Sequence, residues 1–188
     1  EPHYEFLADS IWPQYAYGKN VAYPHGDHGN AVMSKYPILY HRNHDASIVG
    51  PEKRGMLHCV LHIPARALDV HVICVHLGLA ESHRAQQLAL ICKVARDEIP
   101  PDAPLVVAGD FNDWRRRAHD ILEQGAGLRE VFVQAYGEAA RTFPARWPML
   151  SLDRIYVRNA TAHLPVVLPR KPWSHLSDHA PLAAEIHL

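Results

Sequence analysis

Apolar residues along this chain fall in short runs whose period changes from segment to segment. Val21 to Tyr23 leads through P-H-G-D-H-G, a turn-rich loop, into a strand from Asn30 to Ser34, and K-Y-P then breaks it. Met56 to Ile63 and Leu68 to Leu77 are two β-rich runs separated by P-A-R-A, the spacing of an antiparallel hairpin. From Ser82 to Ile99 the period becomes helical. Ala85, Leu88, Ala89, Cys92, Ala95 and Ile99 mark an apolar stripe, stopped by Pro100 and Pro101. Leu105 to Ala108 reads as a short buried strand, and Arg115 to Gln124 as a helix ended by G-A-G. Leu152 to Val157 and Pro181 to Ile186 read as late strands, while H-Y-E-F-L-A-D-S near the start reads as the opening of a helix. Strands outnumber helices and arrive partly in hairpins and partly across helical crossovers. That pattern predicts a mixed α/β domain with antiparallel pairing.

Composition narrows the picture. With 188 residues, 48% hydrophobic and 21% charged, residues 1–188 form one globular domain with a sizeable core. No run approaches the roughly 18–20 apolar residues that span a bilayer, and no basic segment leads into an apolar one at the start. The chain opens without an initiator Met, which suggests a processed or truncated form. Three cysteines in no metal-ligand spacing predict free thiols and a cytoplasmic location. A net charge of −1 supplies no global field for a nucleic-acid backbone and weighs against duplex binding. The 15 histidines include His25, His28, His41 and His44 in expected loops, where solvated surface is the plain reading. No H-E-x-x-H or similar pair occurs, which disfavours a zinc site or a metal-storage protein.

Four polar clusters interrupt or flank the apolar runs. They are His76 in V-I-C-V-H-L, Asp110 and Asn112 in V-V-A-G-D-F-N, Asp153 in L-D-R-I-Y-V, and Asp178-His179 in L-S-D-H-A-P-L. Taken singly, each has an ordinary explanation: a turn acid, a satisfied strand-end histidine, an Asp153–Arg154 pair, a capping residue before the last strand. Together they supply the oxygen ligands that a hard cation prefers and an imidazole beside a carboxylate. That combination outlines metal-assisted hydrolysis at a phosphoryl centre.

The ordered set G-N-A-V-M-S-K-Y-P-I (29–38), V-H-L (75–77), R-x-x-Q (84–87), G-D-F-N (109–112), L-D-R-I-Y-V (152–157) and S-D-H-A-P-L (177–182) resembles the endonuclease/exonuclease/phosphatase superfamily. The resemblance implies a DNase I-like four-layer α/β/β/α sandwich with mixed, largely antiparallel sheets. It also implies Mg²⁺- or Mn²⁺-dependent phosphoester hydrolysis. By resemblance, Asp110 orients or deprotonates the attacking water, and Asn112 holds the phosphate or its metal. Asp178 is the late metal ligand and His179 meets the scissile phosphate. Asp153 fixes and charges His179, while His76 donates to a phosphate oxygen as charge builds.

Two departures from the family pattern stand out. Members begin with an Asn strand, a helix and a strand ending in Q-E, and no such segment is present. The expectation is therefore an N-terminally truncated domain, lacking its first β-α-β unit and prone to self-association through the surface so exposed. The strand in G-N-A-V-M-S also carries no acid to support His76, which must find another partner. Arg84 and Arg115 are candidate substrate-binding residues. Arg115, Arg116, Arg117, Arg141, Arg146, Arg170 and Lys171, with Trp114, Trp147 and Trp173 in the same regions, sketch a basic and aromatic rim. Solvated surface charge is the plainer account of that rim. The resemblance implies a phosphoester substrate: nucleic acid, phospholipid or small phosphate ester. The competing reading is a non-catalytic fragment or binding module that keeps the fold without a complete metal site.

Overall fold

The computed structural model describes residues 12–24 and 26–188. The helix start expected over 3–10 and the loop residue His25 lie outside the described residues. The first observed elements are β1 (Gln14–Tyr23) and β2 (Gly26–Ser34), an antiparallel pair. The expected P-H-G-D-H-G loop is thus mostly strand. Cross-strand polar contacts replace apolar alternation there: Tyr17 Oη donates to Asp27 at 2.6 Å and Lys19 pairs with Asp27 at 2.7 Å.

K-Y-P separates β2 from β3 (Ile38–Asp45), a strand that the apolar pattern did not reveal. It is an edge strand, and Leu39 and Tyr40 face solvent on it. The predicted hairpin follows as β4 (Gly55–Ile63) and β5 (Leu68–His76), joined by a 3₁₀ turn at Pro64–Arg66, with Ile63 opposite Leu68.

Helix α1 (Glu81–Asp97) crosses from β5 to the parallel strand β6 (Leu105–Asp110). Leu88, Cys92, Ala95 and Ile99 are buried as the stripe predicts. Ala85 and Ala89 instead face solvent, and Ile91 and Val94 take the inner positions. Helix α2 (Arg117–Ala126) ends at Gly127 in the left-handed region, as the G-A-G signal requires. A short strand β7 (Arg129–Glu130) and helix α3 (Val131–Tyr136) precede β8 (Asp153–Arg158), β9 (Thr161–Val167) and β10 (Leu182–His187).

Six strands form one mixed sheet in the order β3-β4-β5-β6-β8-β7. On one face, Met56, Ile73, Val75, Leu105 and Val107 pack against Leu88, Ile91 and Val94 of α1 and Leu122 of α2. On the other face lie two separate pairs. β1–β2 packs Ala16 and Val32 over Leu57 and Cys59, and β9–β10 packs over Val157 and its neighbours. Helices, a sheet and a second layer of strands are stacked as the α/β/β/α sandwich class expects. Among the described residues, no helix is long and apolar enough to cross a membrane.

Candidate active site

The sheet register builds the site. His76 ends β5 opposite Asp110, the last residue of the parallel β6, and Asp110 stands opposite Asp153, the first residue of the antiparallel β8. Three polar residues therefore line up across neighbouring strand ends, where the scaffold is rigid and loops begin. Only glycine fits at position 109. Its φ is 141°, and an added Cβ would sit 1.9 Å from the Val75 carbonyl oxygen. This close approach draws β6 against β5 just before the acid emerges.

The turn after Gly109 then folds tightly. The Asn112 backbone N–H donates to Asp110 Oδ1 at 2.8 Å, and Asn112 adopts a left-handed φ of 50°. Its side-chain amide donates to the Leu77 carbonyl at 2.9 Å, which leaves Oδ1 available as an acceptor. Phe111 between them is fully buried, with its ring 5.2 Å from that of Tyr156. Asp113 accepts from the Ala118 N–H at 2.7 Å and so secures the start of α2.

His179 comes from the loop before β10. Its Nδ1 lies 2.8 Å from Asp153 Oδ2. The Asp153 carboxylate therefore serves His179, not Arg154, whose guanidinium donates to the backbone carbonyls of Ser151, Asp153 and Asp113. Thr142 adds support from below by accepting the Asp153 N–H at 3.3 Å. His76 finds its partner across the strand, with Nε2 3.5 Å from Asp110 Oδ2.

The chain's sequence matches the model described as the Endonuclease/Exonuclease/phosphatase family over residues 2–179. The chain belongs to this family. The uncharacterized protein YbhP of Escherichia coli strain K12 is 55% identical over 186 residues, covering 99% of this chain and 73% of the relative. Among solved structures, D. rerio TDP2 complexed with a single-strand DNA product matches with a TM-score of 0.74 at 16% identity, over 98% of this chain and 81% of that one. The mannosyl-6-phosphatase of Bacteroides thetaiotaomicron matches with a TM-score of 0.74 at 14% identity, over 98% and 80%. At such identities the two structures establish the shared DNase I-like fold.

Within this family fold, the two histidines sit in opposite electrostatic settings. Burial disfavours the charged form of His179, but the hydrogen bond and charge of Asp153, then Asp110 and Asp178, outweigh it and raise its pKa. Desolvation comes first for His76, followed by the charge of Arg54, and Asp110 and Glu52 only partly offset them, so its pKa is lowered. One imidazole is thus biased toward the charged form and its neighbour toward the neutral one.

Asp178 is exposed on the same loop as His179, beside an open groove of about 600 Å³ that Arg146, Trp147 and His175 also line. Asp110, Asn112 and Asp178 offer oxygen donors, the type that suits Mg²⁺ or Mn²⁺. They are two carboxylates and one amide. That suits an ion that binds through one or two carboxylates and keeps several waters.

The two arginines proposed to bind substrate differ. Arg115 is exposed and pairs with Glu81 at 2.9 Å. Arg84 is buried, donates to the carbonyls of Gly78 and Leu79, and lies under Trp114 with 4.9 Å from its guanidinium carbon to the ring centre. Its partner in R-x-x-Q, Gln87, accepts from the Gly78 N–H and donates to the Ala46 carbonyl. Arg84 is therefore a correction: it braces the loop after β5 and has no path to a substrate. Glu52 and Arg54, absent from the motifs of the sequence, pair at 2.6 Å and reach His76 electrostatically. They lie in a polar loop with no periodic signal.

Proposed function

We propose that the chain is a divalent-metal-dependent phosphoester hydrolase whose reaction occurs at the ends of β5, β6 and β8. The observation that carries this reading is the 2.8 Å contact between His179 and Asp153, formed beside Asp110. A carboxylate on Nδ1 fixes the tautomer and orientation of the ring and leaves Nε2 for the substrate. His179, held toward its charged form, neutralises or protonates an oxygen of the scissile phosphate. Asp110 orients the attacking water and accepts its proton. Asn112 meets the phosphate through its second amide N–H, or the ion through its free Oδ1, and His76 donates to a phosphate oxygen as negative charge grows. Mg²⁺ or Mn²⁺, held by Asp110, Asn112 and Asp178, would supply the positive charge that polarises the phosphoryl group.

Trp147, 73% exposed, stands beside Arg146, and Arg170 lies 6.0 Å from its ring centre. This aromatic and basic rim beside Asp178 favours an anionic ester that carries a planar group, such as a nucleotide or a single-stranded nucleic acid. The −1 net charge supports that choice over a duplex. The free thiols Cys59, Cys74 and Cys92 fit a reducing, cytoplasmic setting.

A substrate panel tests the reading: a single-stranded oligonucleotide, a nucleotide diester, a phospholipid and a sugar phosphate, each with Mg²⁺ or Mn²⁺ and with a chelator. The expected result is metal-dependent hydrolysis of the nucleotide esters, reduced about 100-fold or more by His179→Ala. A folded chain inert toward every ester would instead support the non-catalytic module.

A further inference from the structure

The helix-facing side of the sheet carries a second group of chemistry-bearing residues. His58 alternates with Met56 along β4, and His44 on β3 stands directly opposite Met56. His71 alternates with Ile73 on β5. All three histidines therefore point to the side covered by α1, among residues that are otherwise apolar. The expectation that His44 lies in a solvated loop is overturned, since it is 8% exposed, and His58 is 2% exposed.

Two buried ring nitrogens in this group have no hydrogen-bond partner: His44 Nε2 and His58 Nδ1. A buried polar atom left unpaired is costly. His58 Nε2 is engaged, at 2.9 Å from His71 Nδ1. Glu98, just past the end of α1 and about one-third exposed, brings Oε2 to 3.6 Å from His44 Nε2. That separation is too long for a hydrogen bond. One ligand atom each from His44, His58 and Glu98 lies within 4.8 Å of the others.

We propose that His44, His58 and Glu98 form a second metal site, distinct from the strand-end centre, for a borderline divalent ion such as Zn²⁺. Two imidazoles and one carboxylate match the donor preference of Zn²⁺ and differ from the all-oxygen set of Asp110, Asn112 and Asp178. With metal–ligand bonds of about 2.0–2.1 Å, neighbouring ligands in a tetrahedron stand about 3.3 Å apart. The 3.6 Å between His44 and Glu98 is already close to that.

The partly exposed position of Glu98 gives the ion a way in. His71 acts as the orienting outer partner: by accepting from His58 Nε2–H it leaves the His58 Nδ1 lone pair for the ion. Desolvation pushes His58 down to about 4 and lowers His44 as well, so both rings are neutral and able to ligate at neutral pH. The bound ion would pin edge strand β3 and the end of α1 to the central sheet.

Zn²⁺ titration by calorimetry, paired with thermal unfolding and with Co²⁺ absorption spectra, tests the site in the 188-residue chain. The unmodified chain and Asp110→Ala should each bind one tight equivalent that raises the melting temperature. Glu98→Gln, a surface change, and His44→Gln should weaken that equivalent about 100-fold or more, while Glu98→Gln leaves Mg²⁺-dependent hydrolysis unchanged. Circular dichroism establishes that each variant is folded. The proposal is overturned if the folded chain binds no Zn²⁺ at micromolar concentration. It is equally overturned if binding survives in folded Glu98→Gln, or disappears in Asp110→Ala and not in Glu98→Gln.

Discussion

The proposed chemistry rests on a few side chains whose surroundings differ more than their identities do. His76 and His179 are both imidazoles near Asp110, yet their pKa values move in opposite directions because only His179 owns a carboxylate at 2.8 Å. The raised pKa keeps His179 charged to higher pH than an ordinary histidine. Its stabilising contribution is fully present below the unfolded value near 6.5 and is lost as pH rises through the folded value. Asp153→Asn removes that support. The expected outcome is a basic limb of the pH–rate profile moved to lower pH, with kcat down about 100-fold or more. An unmoved limb would show that Asp153 does not govern His179. At this scale the sequence was legible where one motif held the whole unit, as in G-D-F-N, with Phe111 buried between two polar residues. It was not legible at Arg84, because a buried arginine satisfied by two carbonyls looks the same in a sequence as one awaiting a phosphate.

Elements carry these residues to their places through register. The β4–β5 hairpin and the α1 crossover to β6 were readable because alternation and helical period follow directly from packing against one core. β3, β7 and β9 were not. β3 lies on an edge with exposed apolar residues, β7 has only two residues, and β9 mixes exposed His163 and Leu164 with a proline. The hinge of the site is the contact of Gly109 with Val75. Gly109→Ala combines an unfavourable φ with a backbone clash, so it should cost roughly 2–4 kcal/mol of stability. Denaturant unfolding measures that cost. Any fraction that folds should have lost hydrolysis, since β6 must shift and carry Asp110 with it. A fully stable, active Gly109→Ala would mean that the approach of the two strands is not what positions the acid.

For the molecule as a whole, the two faces of the central sheet are covered unequally. Ile73, Val75, Leu105 and Val107 are sealed beneath the helices, whereas Val72, Cys74 and Val106 on the other face keep partial exposure. That face is covered by β1–β2 and β9–β10, which share no ladder. Apolar surface of this kind favours association. The 188-residue chain should therefore sediment as a dimer or larger species at tens of micromolar, and a strict monomer at that concentration would oppose the idea. The proposed hydrolysis is tested by the rate at which this chain, beside Asp110→Ala, cleaves a generic phosphodiester with Mn²⁺ or Mg²⁺. The expected result is metal-dependent turnover that a folded Asp110→Ala has lost. Turnover that persists in Asp110→Ala, or a folded chain with none in either ion, would contradict it.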